Sequence, residues 1–187
     1  MPSQASARPT PFETLYETHF AFVWRNLRRV GVSEAHLDDA TQDVFIIVHR
    51  RLGEFAERSS VRAWLFGILV RVASDHRRTL RRKSPHTTQD VPDFAALEPV
   101  VRDESPGPDE KLLQREAVAL LHRLLEELDD ARRAVFVLVE LEQLSMPEAV
   151  EALGINLNTG YARLRAARRI FEKALARTRA HDIRRLG

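Results

Sequence analysis

The stretch at residues 145–169, SMPEAVEALGINLNTGYARLRAARR, constrains the fold more than any other. Ser145 is an N-cap with Glu148 three residues on, as in a capping box, and Pro147 suits a first helical turn. A helix over Met146–Leu153 follows. Gly154 then offers the positive φ that ends a helix without a Cβ clash. Ile155 and Leu157 read as turn residues tucked into the core, and Asn158 or Thr159 as the cap of a second helix. In that helix Leu157, Gly160, Leu164, Ala167 and Phe171 recur at spacings of three, four, three and four, which makes one apolar face. The opposite face carries Asn158, Thr159, Tyr161, Ala162, Arg165, Arg168 and Arg169. Two such helices and a four-residue turn are a helix-turn-helix.

Charge says what the second helix is for. Between positions 156 and 179, seven Lys or Arg oppose one Glu, a net charge of +6 that attracts phosphate. An ordinary packed hairpin with an Arg-rich solvated face has the same outline. Agreement between cap, turn and face favours DNA binding. The whole chain carries only +2, so its basicity is a matter of distribution. Arg supplies 26 of the 29 basic residues; its fork suits phosphate, and the plainer reading of the bias is GC-rich codon usage.

Several classes are excluded. The chain has no cysteine, so disulfides, Cys-based zinc sites and a Cys nucleophile are absent. No apolar run approaches the ~20 residues of a membrane span, and MPSQASARPTP has no signal core. A soluble cytoplasmic protein is expected. His36 and His49 are thirteen residues apart and no His-x-x-x-His pair exists, so no metal site, cofactor or catalytic residue is expected.

Five of the nine prolines lie at positions 85–108, and residues 84–110 hold seven acidic residues against one basic, a net −6 without helical or strand period. This predicts an extended acidic, Pro-rich linker between two small all-α domains. Upstream, Phe12, Tyr16, Phe20, Val23, Leu27 and Val30 form one apolar stripe, ended by Gly31. Leu37, Ala40, Val44, Val48 and Leu52 form the next, ended by Gly53. Ser60 caps a third helix, whose apolar positions Trp64, Leu65, Ile68, Leu69 and Val72 give way to the basic tail HRRTLRRK. Residues 58–83 carry eight Lys or Arg against Asp75, a net +7. Downstream, an amphipathic helix covers 112–128, and Asp129 or Asp130 caps another before the helix-turn-helix. The predicted organisation is a disordered tail at 1–11, a helical domain at 12–83, the linker at 84–110, the helix-turn-helix domain at 111–180 and a tail at 181–187.

In this order the segments resemble the extracytoplasmic-function (ECF) sigma factors, over nearly the whole chain. LDDATQDVF (37–45) is similar to the family's acidic helix, with Asp39, Gln42, Asp43 and Phe45 in place. VRAWLFGILVRVASDHRR (61–78) matches its next helix at Trp64, Leu65, Ile68, Asp75 and Arg78. LLEELDDARRAVFVLVELEQLSMPEAVEALG (124–154) resembles the lead into its helix-turn-helix, and NTGYARLRAARR (158–169) matches at Thr159, Arg163, Leu164, Ala167 and Arg168. The chain departs from the family at Gly160 (usually Val or Ile), Arg71 (Asn), Asp129 (Pro) and Ala149 (Ile).

The resemblance implies a transcription initiation factor that binds core RNA polymerase, reads the −35 and −10 promoter elements, helps open the duplex and does no covalent chemistry. It implies that Asp38, Asp39, Gln42 and Asp43 dock on a basic coiled coil of the polymerase clamp. By themselves these carboxylates are also a solvated face or partners of the helix macrodipole. It implies capture of the −10 strand by the loop after the acidic helix. There Phe55, Trp64 and Phe66 offer rings, Trp64 being in phase with the core, and Arg58, Arg62, Arg71, Arg77, Arg78, Arg81 and Arg82 offer charge. At the −35 element, base contacts fall to Asn158, Thr159, Tyr161, Ala162 and Arg165, and phosphates to Arg163, Arg168 and Arg169. Two elements about two turns apart are separated by ~70 Å. Residues 83–110 extend to ~90 Å at most, so the linker reaches. In the family this segment threads the polymerase's RNA path; on its residues alone it is an acidic linker kept soluble by charge. The family also implies an anti-sigma partner. The alternative is a helix-turn-helix regulator that does not bind core polymerase.

Overall fold

Seven α-helices dominate residues 11–55, 59–83 and 108–186, the part of the chain described by this computed structural model. They are α1 (Pro11–Arg29), α2 (Leu37–Arg51), α3 (Val61–Lys83), α4 (Pro108–Glu126), α5 (Asp130–Phe136), α6 (Met146–Leu153) and α7 (Leu157–Leu186). No strand occurs among the described residues. The N-terminal tail, Arg58 and nearly all of the acidic linker lie outside them. Helix α4 starts three residues inside the stretch assigned to the linker, because Pro108 fits a first turn, where its missing N–H costs nothing. Helix α7 runs to Leu186, past the expected boundary at 180.

Local signals fix several helix ends. Asp129 caps α5 by accepting from the Arg132 N–H at 2.9 Å. Ser145 and Glu148 form the capping box at α6, and Gly154 closes that helix at φ 64°. Helix α7 is capped differently from the expectation. Asn156 Oδ1 accepts from Thr159 N–H at 2.8 Å, so Asn156 is the cap and Asn158 and Thr159 sit in the first turn. Helix α5 continues into a five-residue π-helical turn, Val137–Leu141, closed by Glu142 N–H on the Val137 carbonyl at 2.9 Å. Gln143 then turns the chain at φ 57°.

Helix α3 is the centre of the fold. Its segment AWLFGILV is apolar on every side, and such a helix must be covered on more than one face. Helices α1 and α2 pack on it from one half of the chain, and α6 from the other. Val23, Leu27, Val44, Val48, Leu65, Phe66 and Leu69 are fully buried there, and one continuous apolar cluster joins them to Val135, Leu138, Ala149 and Leu164. The two helical halves therefore pack directly on each other. Phe66, read as a possible base platform, has no exposed surface and belongs to this core.

Gly160 is where the helix-turn-helix closes tightly. A Cβ there would stand 2.5 Å from Val150 Cγ1 and 2.8 Å from Met146 Sδ, so side chains of α6 occupy the volume that a larger residue would need. A glycine in this phase either loosens the start of the helix or admits a close neighbour; here it admits the α6 side chains. Gly160→Val is expected to overpack the site by roughly 1–3 kcal/mol. Thermal melting should show a fall of about 2–10 °C, and Val150→Ala in the same chain should recover most of it. A higher melting temperature for Gly160→Val would contradict this packing.

Candidate polymerase and promoter surfaces

Helix α2 turns Leu37, Ala40, Thr41, Val44, Phe45 and Val48 into the core. That phase leaves Asp38, Asp39, Gln42 and Asp43 on solvent. Beside them lies an open groove of about 580 Å³, lined by Phe12, Tyr16, Phe20, Phe45 and Ile46 with Asp38 and Gln42 on its rim. Tyr16 and Phe20, expected in a buried stripe, are 40% and 36% exposed. They pack their rings on Phe45, at centroid distances of 4.6 and 6.3 Å, and leave the other side open. The buried stripe of α1 is Phe22, Val23, Asn26 and Leu27 instead. Asp43 Oδ2 also meets His76 Nε2 of α3 at 2.8 Å.

The candidate −10 surface is the start and outer face of α3. Phe55 packs on Trp64 at 5.0 Å between ring centroids, and Trp64 is half-buried against the core. Arg62 and Arg71 are exposed, and Arg62 also covers the Phe22 ring. Arg78 is exposed and pairs with Asp75 at 2.5 Å. Arg77 differs from the rest. Only 16% of its side chain is exposed, and it bonds the Val30 carbonyl and Asp130, the latter at 3.1 Å. Arg81 and Arg82 are in the last turns of α3, but their side chains fall outside the described set.

The candidate −35 surface is the first half of α7. Gly160, Leu164 and Ala167 are buried under it, and Phe171 stacks on Phe136 at 4.7 Å. Asn158, Tyr161, Ala162, Arg165, Arg168 and Arg169 are exposed together, with Thr159 and Arg163 partly covered beside them. Leu157, expected in the core, is 46% exposed at the tip of the helix. Arg168 pairs across the fold: its Nε and Nη2 reach Glu140 Oε1 at 2.8 and 2.6 Å. The sequence offered no sign of that pairing across 28 residues.

Comparison with known proteins agrees with this geometry. Residues 15–83 match the family pattern described as Sigma-70 region 2, and residues 119–170 match Sigma-70, region 4. RNA polymerase sigma factor CnrH of Cupriavidus metallidurans is 30% identical over 165 residues, covering 88% of this chain and 86% of that protein. The chain belongs to the ECF sigma factors. ECF RNA polymerase sigma factor SigX of Bacillus subtilis is 30% identical, with 76% of this chain and 72% of that protein covered. The solved structure of CnrH in complex with the cytosolic domain of CnrY shares the fold, with a TM-score of 0.62 at 24% identity over 91% of each chain. So does the sigma factor RpoE of Bartonella quintana, solved with the anti-sigma factor NepR, at 0.60 and 18% identity over 87% of this chain and 98% of that one. As a sigma factor, the protein binds core RNA polymerase and promoter DNA and acts in transcription initiation. No described helix is long and apolar enough to cross a membrane.

Proposed function

We propose that this sigma factor divides its work among the three surfaces described above. Asp38, Asp39, Gln42 and Asp43 dock on a basic helical element of core polymerase, and the aromatic groove beside them receives that partner's apolar side chains. Phe55, Arg62, Arg71 and Arg78 hold the separated −10 strand, with Arg58, Arg81 and Arg82 extending the cationic track. Asn158, Thr159, Tyr161, Ala162 and Arg165 read the −35 duplex from the start of α7, while Arg163, Arg168 and Arg169 hold phosphates. The factor works in the cytoplasm and supplies binding and strand separation with no covalent step of its own. An anti-sigma factor that engages both halves controls it, a partner type suggested by the RpoE relative. The observation that carries this reading is the simultaneous exposure of an acidic face on α2 and a basic face on α7 over one core. The test is run-off transcription with core polymerase on a promoter library. Recovery of a two-element consensus is the expected result. Binding to DNA with no core-dependent initiation would return the chain to the class of simple helix-turn-helix regulators.

A further inference from the structure

The leading end of α7 is apolar on a surface otherwise rich in arginine. Leu157 is 46% exposed and Tyr161 52%. Side chains four residues apart stand one above the other on a helix surface, so the two are neighbours. Ala162 is exposed beside them. The other exposed large apolar side chains among the described residues belong to the aromatic groove (Tyr16, Phe20 and Ile46) or to α4 (Leu112 and Leu113), so this pair is a separate patch. The cap decides where Leu157 goes. Asn156 Oδ1 accepts from Thr159 N–H at 2.8 Å, and the Asn156 carbonyl accepts from Gly160 N–H at 3.0 Å, so Leu157 is the first helical residue. Side chains on a helix lean toward its N-terminus. That lean carries Leu157 off the end of α7, clear of the α6 side chains packed under Gly160.

A helix in the major groove meets base edges with its N-terminal residues. Those edges present hydrogen-bond donors and acceptors, and one strongly apolar group, the C5-methyl of thymine. Leu157 and Ala162 carry no hydrogen-bonding side-chain group, and the Tyr161 ring adds an apolar face beside them. Set against donors and acceptors alone, these side chains would strip water from polar atoms and return no hydrogen bond. Set against a thymine methyl, they remove water from apolar surface on both partners. Arg165 lies one turn beyond Tyr161, ~6 Å along the axis, with the fork that fits guanine O6 and N7.

We propose that the apolar tip of α7, Leu157 with Tyr161 and Ala162, reads thymine methyl groups in the −35 element, so that this part of the site selects A·T pairs by apolar contact. The proposal rests on the −35 reading of α7 given above, and it adds Leu157 to the residues that tell bases apart. Arg163, Arg168 and Arg169 supply affinity without this discrimination, because phosphates are the same at every base. Burial of one methyl group corresponds to about a fourfold gain in affinity.

Deoxyuridine in place of thymidine removes the methyl group and nothing else. In a promoter recovered from a randomised library by the full-length protein assembled with core polymerase, each thymine of the −35 element, on either strand, is replaced in turn by deoxyuridine. Competition binding by the same holoenzyme then compares each duplex with its thymine form. At least one replacement should weaken binding about three- to tenfold. On that duplex, Leu157→Ala or Tyr161→Ala should bring the thymine-to-uracil ratio close to one. Arg169→Ala should weaken both duplexes alike and keep the ratio. Leu157 and Tyr161 are exposed, so both alanine variants should melt within a few degrees of the unaltered protein. Uracil forms that all bind as well as thymine overturn the proposal. So does a ratio that survives both alanine variants, or a −35 element with no thymine on either strand. If no promoter is recovered with core polymerase, the two-element reading fails. Duplexes selected from the same library by the protein alone then carry the replacements, and the ratio still decides the methyl reading. Selection of no duplex in either form overturns both.

Discussion

Asp39→Arg together with Asp43→Arg should lower affinity for core polymerase by about 100-fold or more. Reversing two charges sets like against like at a basic partner. Such juxtapositions cost several kcal/mol, and ~3 kcal/mol corresponds to about two decades in Kd. The fold should tolerate the change. Both carboxylates are exposed, the Asp43 side chain by 55%. The bond to His76 contributes at most about 1 kcal/mol, and the loss of favourable charge near the start of α2 adds no more than that. The melting temperature should therefore drop by only a few degrees. Gel filtration with core polymerase reads the first effect and thermal melting the second. Co-elution equal to that of the unaltered protein would remove the acidic helix from the interface.

Acid should destabilise the protein through one buried histidine. Burial pushes His122 of α4 down to about 4, and the guanidinium groups of Arg28, Arg29 and Arg133 push it in the same direction. The neutral ring is thus the folded form, while the unfolded chain takes up a proton near pH 6.5. Stability from this residue is fully present above pH 6.5 and is lost as pH falls toward 4, by about 3 kcal/mol in total. Carboxylates titrate nearby, so the informative quantity is the difference between the protein and His122→Leu. Urea unfolding from pH 7.5 to 4.5 should show the gap between them narrowing or reversing on the acid side. Parallel stability curves would show that His122 takes no part in the acid response.

The parts of the fold that sequence made legible are those set by neighbours in the chain. The capping box at Ser145 and Glu148, the left-handed Gly154 and the cap at Asp129 are local hydrogen-bond and backbone requirements, and they stand where expected. The exposed basic face of α7 follows from helical period alone. Asn156 was missed as the cap because Asn158 and Thr159 are equally good cap chemistries two and three residues on. What depends on distant contacts was much harder to see. Glu142 sits in ELEQLS, which reads as an ordinary polar turn, and nothing local marks it for burial against α1. The aromatic groove was hidden because Tyr16 and Phe20 share the stripe of Val23 and Leu27, and period does not say where a neighbouring helix stops. One signal for the packed halves was present: AWLFGILV is apolar all round, which a helix covered on a single side would not need.

The π-helical turn at Val137–Leu141 also sets a rotational phase. A π turn holds about one residue more than an α turn, and each residue of helix advances the chain by ~100°. Deleting Glu140 there would let α5 continue as regular α-helix, at no cost to the hydrophobic composition. It would also swing Glu142 about a quarter-turn away from Arg29, which it meets at 2.7 Å, and re-aim α6 and α7 together. That one surplus residue is the gear tooth that aligns the basic face of α7 in one half with the arginines of the other.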